Sequence, residues 1–424
     1  MLNLINTREF QRLRRIKQLG LSQFVFPGAD HSRFAHSIGT VHVACRFLTR
    51  VLQLGALAGN EDHGTVVLAA ALLHDVGHGP FSHAFEKVSG ENHEKRTSEI
   101  IADRSTEVNQ VLREYSETLP DRLNAFFDVG PNSGESAIPA FLTQIVTSQL
   151  DADRFDYLLR DSYATGSEHG RFDLEWLLQH IQVDEGRDRF YLGRKALYAA
   201  EAYVFARYHM YRTVYFHKTT RAAEVMLRLL LRRYRERLRD CSTTEARRSL
   251  VPDAPRAVVQ AFSASIDPGE QLPLSDYLLL DDHSITEFAK ACVRSSDEVL
   301  ATLALGLLDR RLFKSTDVTE TQSHRVVSFT EKAREVVESV GLSTAFAFAH
   351  DAPSDTPYKL YNPEAAQPAT QIFIETEDGS QEELSRVSDS VHQLTKKYTL
   401  VRYYYPGAVR DRIRQEAEPL LDRD

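Results

Sequence analysis

Residues 64–83, GTVVLAAALLHDVGHGPFSH, constrain the fold more than any other stretch. The run from Val66 to Leu73 has the composition of a buried helix and is far too short to span a membrane. It ends in adjacent His74 and Asp75, and His78 and His83 follow across Gly77, Gly79 and Pro80, which break or reset the helix. Burying Asp75 among Leu72, Leu73 and Val76 is costly unless a cation or a hydrogen-bond network compensates. Two potential ligands on consecutive residues converge only where the backbone lets them, as at a helix end facing a cavity. The chain therefore calls for a helical core with a polar cavity at the end of this helix.

Eight of the 16 histidines fall in the first hundred residues. His42 and His63 have nothing beside them that marks a site, whereas RFAHS places Arg33 and His36 near the start of another helix. Further on, QLDADRFDYLLRD presents Asp151, Asp153, Asp156 and Asp161. On a helix Asp153, Tyr157 and Asp161 share one face, with Arg154 just beside it. A His, a His-Asp pair and a distant Asp make an N/O site suited to Mn²⁺, Fe²⁺, Zn²⁺ or Mg²⁺. The lack of thiolates points to a catalytic ion with open positions and not to structural zinc.

At 424 residues the chain exceeds the usual single core, so one large domain with an appendage, or two domains, is expected. Up to about residue 310 it reads as mainly α. Thr7 caps a helix running to Gly20, further helices cover 33–55 and 137–163, a short hairpin occupies 182–193, and helix dominates the forty residues after it. From 311 to 424 the runs HRVVSFTEK, STAFAFAHD, TQIFIETED and YTLVRYYYP suggest strands in a smaller α+β C-terminal region, with TEKAREVVESV helical and 351–370 a loop. The net charge of −9 gives no global case for nucleic acid. Two basic runs, RLRRIKQ at 12–18 and LRRYRERLR at 231–239, read as solvated helix faces that leave contact with a polyanion open. Cys45, Cys241 and Cys292 form no CxxC, which suggests a reducing compartment. The opening MLNLINTREFQRLRRIK turns charged at once, without the apolar core of a signal peptide. A soluble, cytoplasmic protein with no membrane partner is the expectation.

The order H…HD…D, with the block HDVGHGPFSHAFE, resembles the HD-domain metal-dependent phosphohydrolases. RFxHS at 33–37, HDxGHGPFSH at 74–83, NHE at 92–94 and DADRFDYLLRD at 151–161 are similar to the dNTP triphosphohydrolase branch, which includes the animal SAM-and-HD-domain enzyme and bacterial dGTPases. YRTVYFHKTTRAAE at 211–224 looks like the following helix of the bacterial members, and the likeness spans roughly residues 5–310. It implies His36, His74, Asp75 and Asp153 as metal ligands. Asp153 is preferred to Asp151 because it directly precedes the Arg-aromatic-Asp-Tyr run. His78, His83 and His93 would surround the triphosphate, with His83 giving a proton to the leaving 5′-oxygen. Arg33, Arg154 and Tyr157 would contact phosphates or sugar, and Asp161 the 3′-hydroxyl. Arg154 stands where the best-known relatives have Lys, which keeps the charge and changes the geometry. Tyr211, Arg212, His217 and Lys218 would form the far wall, although the family's arginine does not align cleanly with Arg212.

Hydrolysis of a dNTP to deoxynucleoside and triphosphate needs an activated water, neutralised phosphate charge and a proton for the leaving oxygen, which these residue types supply. Among other tenants of the HD fold, cyclic-di-GMP phosphodiesterases carry a GYP signature missing here. Guanosine tetraphosphate hydrolases usually show HDxxED, where this chain has His78 and Gly79, and 5′-nucleotidases are smaller and lack GHGPFSH. The alternatives are another HD phosphohydrolase or nuclease acting on nucleotides or single-stranded nucleic acid, or a nucleotide-sensing protein. The resemblance also implies a homo-oligomer, dimer or tetramer, with a possible allosteric nucleotide at subunit interfaces. Arg12, Arg14, Arg15 and Lys17 would serve that nucleotide or pack on their own domain, and the C-terminal region would mediate assembly or regulation.

Overall fold

A computed structural model describes residues 1–57, 61–127, 138–186, 188–266, 271–359 and 371–422, without the side chains of residues 61 and 83. After a helical turn at Leu2–Ile5 comes α1 (Arg8–Arg12), capped by the Thr7 hydroxyl, which accepts from Phe10 N. This helix stops short of Gly20. After a 3₁₀ turn at Leu13–Arg15 the backbone is claimed by the segment before the next helix: Gln18 N donates to His31 O and Arg33 N to Ile16 O. Arg12 is drawn inward, 1% exposed, with Nε donating to Leu280 O and the guanidinium 5.1 Å from the Tyr277 ring.

The helices that build the site follow: α2 (Arg33–Gln53), α3 (Glu61–Leu73), α4 (His83–Ser89), α5 (His93–Ala102), α6 (Ala140–Thr147) and α7 (Ala152–Thr165). The single helix expected over 137–163 is divided into α6 and α7, and residue 137 lies outside the described residues. The break has a local cause. Ser148 is extended and its Oγ accepts from Leu150 N, while Asp151 caps α7 by accepting from Arg154 N. α2 packs along both α3 and α7, which brings the ends of three helices to one place. α8 (Leu197–Met210) runs through a π-turn at Tyr211–Tyr215 into α9 (Lys218–Arg239), whose buried stripe includes Leu227, Leu230, Leu231, Tyr234 and Leu238. α10 (Asp282–Cys292) and α11 (Ser323–Ser339) come later.

The strands are short: β1 (Ile181–Val183), β2 (Phe190–Leu192), β3 (Lys314–Asp317), β4 (Ala349–Asp351), β5 (Ser354–Asp355), β6 (Phe373–Glu375), β7 (Gln381–Glu383), β8 (Tyr398–Thr399) and β9 (Arg402–Tyr405). The expected hairpin at 182–193 is present as β1–β2, and β6 extends it by pairing parallel to β2 at Leu192–Ile374. TQIFIETED and YTLVRYYYP supply strands as expected. HRVVSFTEK does not: it opens α11, because Phe329, Ala333, Val336 and Val337 recur at helical spacing and bury one stripe in a second core with Val318, Tyr405 and Ile413. STAFAFAHD is half helix and half β4. Of the loop expected at 351–370, β5 occupies 354–355 and 360–370 lie outside the described residues. The architecture is a helical core with a smaller α+β C-terminal region. Among the described residues, no helix is long and apolar enough to cross a membrane.

Candidate metal centre and active site

His36 reaches the site from the first turn of α2 and is 1% exposed. His74 and Asp75 leave the C-terminal end of α3, and Asp153 stands in the first turn of α7, where a carboxylate also suits the helix dipole. His36 Nε2 lies 3.0 Å from Asp153 Oδ1 and 3.9 Å from Asp75 Oδ2. His74 Nε2 lies 3.6 Å from the same Asp153 oxygen and 3.5 Å from Asp75 Oδ1. Both Nε2 atoms are buried without a well-oriented hydrogen bond, and together with a carboxylate oxygen of Asp153 they form a group within 4.8 Å of one another. Their other ring nitrogens are committed elsewhere: His36 Nδ1 to Asp156 Oδ2 at 2.9 Å, His74 Nδ1 to Ala71 O at 3.0 Å. That is the arrangement of histidines whose Nε2 faces a cation. Two imidazole nitrogens with carboxylates from Asp75 and Asp153 fit Mn²⁺, Fe²⁺, Zn²⁺ or Mg²⁺.

Burial lowers the pKa of His36, but the Asp153 and Asp156 carboxylates outweigh it and push the imidazole up to about 10. His74 is raised in the same contest, by Asp75 and Asp153. Burial raises the carboxylates, yet the histidine pair pulls Asp153 below its ordinary range. Arg33, with His74 and His78, does the same to Asp75. His78 goes the other way, pushed down to about 3 by burial and by the Arg33 charge.

A second group stands beside the first. The His78 and His93 rings stack at 3.9 Å and 11°, with His78 Nε2 3.2 Å from Asp75 Oδ1. Glu86 Oε1 lies 2.9 Å from His93 Nδ1 and 3.8 Å from His78 Nδ1. Arg33 pairs with Asp75 and donates from Nη2 to Ser82 Oγ at 2.8 Å. Phe81 and Ser82 hold this place at left-handed φ of 48° and 49°, anchored by Phe81 N donating to Asp282 Oδ1 of α10 at 2.7 Å. Gly77 permits the close approach of α5, since a Cβ there would strike the backbone of His93 and Thr97.

The comparisons with known proteins agree with this geometry. A model of the HD domain matches residues 33–138, and one of the HD-associated region matches 172–249. The Bacillus subtilis protein YwfO is 36% identical over 405 residues, covering 95% of this chain and 88% of that protein. The chain belongs to the HD-domain phosphohydrolases. The Dictyostelium discoideum homologue of the deoxynucleoside triphosphate triphosphohydrolase SAMHD1 is 34% identical over 242 residues, covering 54% of this chain and 45% of that protein. The zebrafish SAMHD1 is 32% identical, covering 54% and 41%; the chain thus spans under half the length of these two relatives. A crystal structure of a Bacteroides thetaiotaomicron phosphohydrolase superposes with a TM-score of 0.77 at 28% identity, covering 95% of this chain and 94% of that one.

Asp75 and Asp153 of the first group, with His78, Glu86 and His93 of the second, line a cavity of 610 Å³. Arg33, His78, His93, Asp153, Arg154 and Tyr157 all line it. Arg154 turns its guanidinium to Asp151 and the Ser148 carbonyl. The Asp161 carboxylate bridges two groups, His31 Nε2 and the Tyr215 hydroxyl, each at 2.8 Å. Tyr211 lines the cavity beside Tyr215, ring centroids 4.8 Å apart. The π-turn that turns these tyrosines inward sends Arg212 out to the Tyr208 hydroxyl. His217 is spent on capping α9, accepting from Thr219 N at 3.2 Å. Lys218 lines a separate cavity with Arg310 and Arg410. The backbone of His83 starts α4, and its side chain lies outside the described residues. Asp156, Glu86, Ser82 and His31 had no role assigned from sequence. Only Asp156 carried a signal, as one of four aspartates in DADRFDYLLRD.

Proposed function

We propose that the chain is a divalent-metal-dependent deoxynucleoside triphosphate triphosphohydrolase. One observation carries the reading: the carboxylates of a His-Asp cluster suited to an ion, a cationic wall and an aromatic wall share a single cavity. Relatives named as dNTP triphosphohydrolases support the choice of substrate. A divalent ion held by His36, His74, Asp75 and Asp153 would supply Lewis-acid charge beside the α-phosphoryl group. Arg33, fixed by Asp75 and Ser82, and the stacked His78 and His93 then meet the phosphates. His78, which burial and Arg33 keep neutral near pH 7, contributes a hydrogen bond and not a charge. His93 Nδ1 lies 2.9 Å from Glu86 Oε1, a dyad placed to relay a proton toward the cavity. His83, which directly follows Ser82 in the chain, is assigned the proton for the leaving 5′-oxygen. Tyr157, Tyr211 and Tyr215 form the wall for the sugar, and Asp161 takes the 3′-hydroxyl while His31 and Tyr215 hold it still. Water attacks Pα, the Pα–O5′ bond breaks, and the proton goes to O5′.

Assembly into an oligomer with a second nucleotide at its interfaces belongs to the same proposal, although Arg12, being buried, takes no part. Incubating the metal-loaded protein with each dNTP, alone and in pairs, and separating products by chromatography tests the reading. Deoxynucleoside with intact triphosphate is expected. Nucleoside monophosphate with pyrophosphate, or binding without turnover, overturns it.

A further inference from the structure

The basic run at 231–239 belongs to α9, and its cations continue a row that begins in the active-site cavity. Arg221, Arg228, Arg232 and Arg235 are seven, four and three residues apart. At 3.6 residues per turn they leave the helix within a sector of about 60°, and the row is about 21 Å long. Arg221 and Arg228 line the active-site cavity together with Lys87 of α4. Lys87 and Arg228 are also walls of a second cavity, of 390 Å³, where Arg232, Arg235 and His350 join them over an apolar floor that includes Val225 and Leu229.

Counter-charge along the row is sparse. Asp351 serves two guanidinium groups, at 2.8 Å from Arg221 and 2.7 Å from Arg228, and Glu224 pairs with Arg221. Arg232 bonds to the Ala345 carbonyl and has Glu236 only at 3.6 Å. Arg235 donates to Ser265 O at 2.8 Å, and its Nε is buried without a partner. Lys87 makes no close ion pair among the described residues, and burial together with Arg228 and Arg221 outweighs the more distant Asp351 and Glu224 and holds its ammonium below the usual range. Five cations thus face three carboxylates in a chain of net charge −9.

We propose that this second cavity binds a linear inorganic polyphosphate, and that triphosphate leaving the active site enters it past Lys87 and Arg228. The origin of the ligand rests on the triphosphohydrolase reading; the binding site does not. Fixed planar guanidinium forks along one helix face match a chain of phosphates, to which each can donate bidentately. A nucleobase finds little here, because Phe348 is 8% exposed and already stacked on Tyr403 at 5.2 Å.

Arg232 and Arg235 line only the second cavity, so they separate it from the active site. Calorimetric titration of the metal-loaded full chain with inorganic tripolyphosphate in excess Mg²⁺ should show two classes of site. In Arg232→Glu/Arg235→Glu one class should weaken by about tenfold or more, with dNTP turnover at low product unchanged. Arg232→Lys/Arg235→Lys, which keeps the charge and guards against misfolding, should retain both classes. A single class in the wild type, or equal binding by the glutamate variant, overturns the proposal. So does displacement from the second class by dATP in preference to tripolyphosphate. A protein that fails to hydrolyse dNTPs yet shows the charge-dependent second class refutes the functional reading and leaves this site standing.

Discussion

Asp156 faces no ion, yet it decides what His36 can do. Its Oδ2 accepts from His36 Nδ1 at 2.9 Å while Arg160 grips both carboxylate oxygens at 2.8 Å, so the imidazole is fixed with Nε2 toward Asp153. Asp156→Asn keeps the shape and loses the charge, and metal affinity should fall by about 10- to 100-fold with the fold intact. Equilibrium dialysis with elemental analysis measures this, and an unchanged affinity would contradict the role given to His36. A pH prediction follows from the same residue. In the metal-free chain His36 is raised from 6.5 to about 10, so near neutrality it holds a proton that an ion must displace. Affinity should therefore rise as pH rises toward 10 and fall in acid. Titrations in two buffers of different ionisation enthalpy should register proton release, and none would exclude His36 as a ligand. His74 and Asp75 were legible because His-Asp adjacency at the end of an apolar run has few other physical meanings, whereas His36 and Asp153 were singled out through the resemblance to the HD family. Glu86 and His31 were not: their meaning lies in what the fold sets beside them, His93 for one and Asp161, 130 residues away, for the other.

At the scale of elements, the site depends on how closely α2 and α7 approach. A Cβ on Gly39 of α2 would collide with Asp156 Oδ1 and the Arg160 guanidinium. Gly39→Ala should cost about 1–3 kcal/mol through overpacking and also weaken metal binding, because Asp156 must move. Thermal denaturation with and without metal separates the two effects; a stable variant with normal affinity would show the approach to be loose. Elements were legible where one period governed, as in α2 and the β1–β2 hairpin. Reading failed where tertiary contacts took over the backbone. Arg33 and His31 claimed the extension of α1, Ser148 and Asp151 divided α6 from α7, and the first turns of α11, HRVVSF, hid their helical stripe inside a β-rich composition, whereas TEKAREVVESV read as helix.

Over the whole molecule, the main core does not stop at residue 310. Phe346, Tyr358, Ile372, Ile374 and Tyr404 join it from the C-terminal region, and β6 and β7 extend the sheet begun by β1 and β2. Asp351 of β4 holds Arg221 and Arg228 in the wall of the cavity. Residues 1–310 alone should therefore aggregate or unfold without cooperativity; a soluble fragment with the full chain's melting temperature would contradict this. The central claim, that one cavity cleaves a dNTP at Pα–O5′, is tested most directly by hydrolysis in ¹⁸O-labelled water with mass spectrometry of both products. The label should appear in an intact triphosphate and never in the deoxynucleoside, with turnover lost in Asp153→Asn. Label in a nucleoside monophosphate or in pyrophosphate, or undiminished turnover by Asp153→Asn, would contradict it.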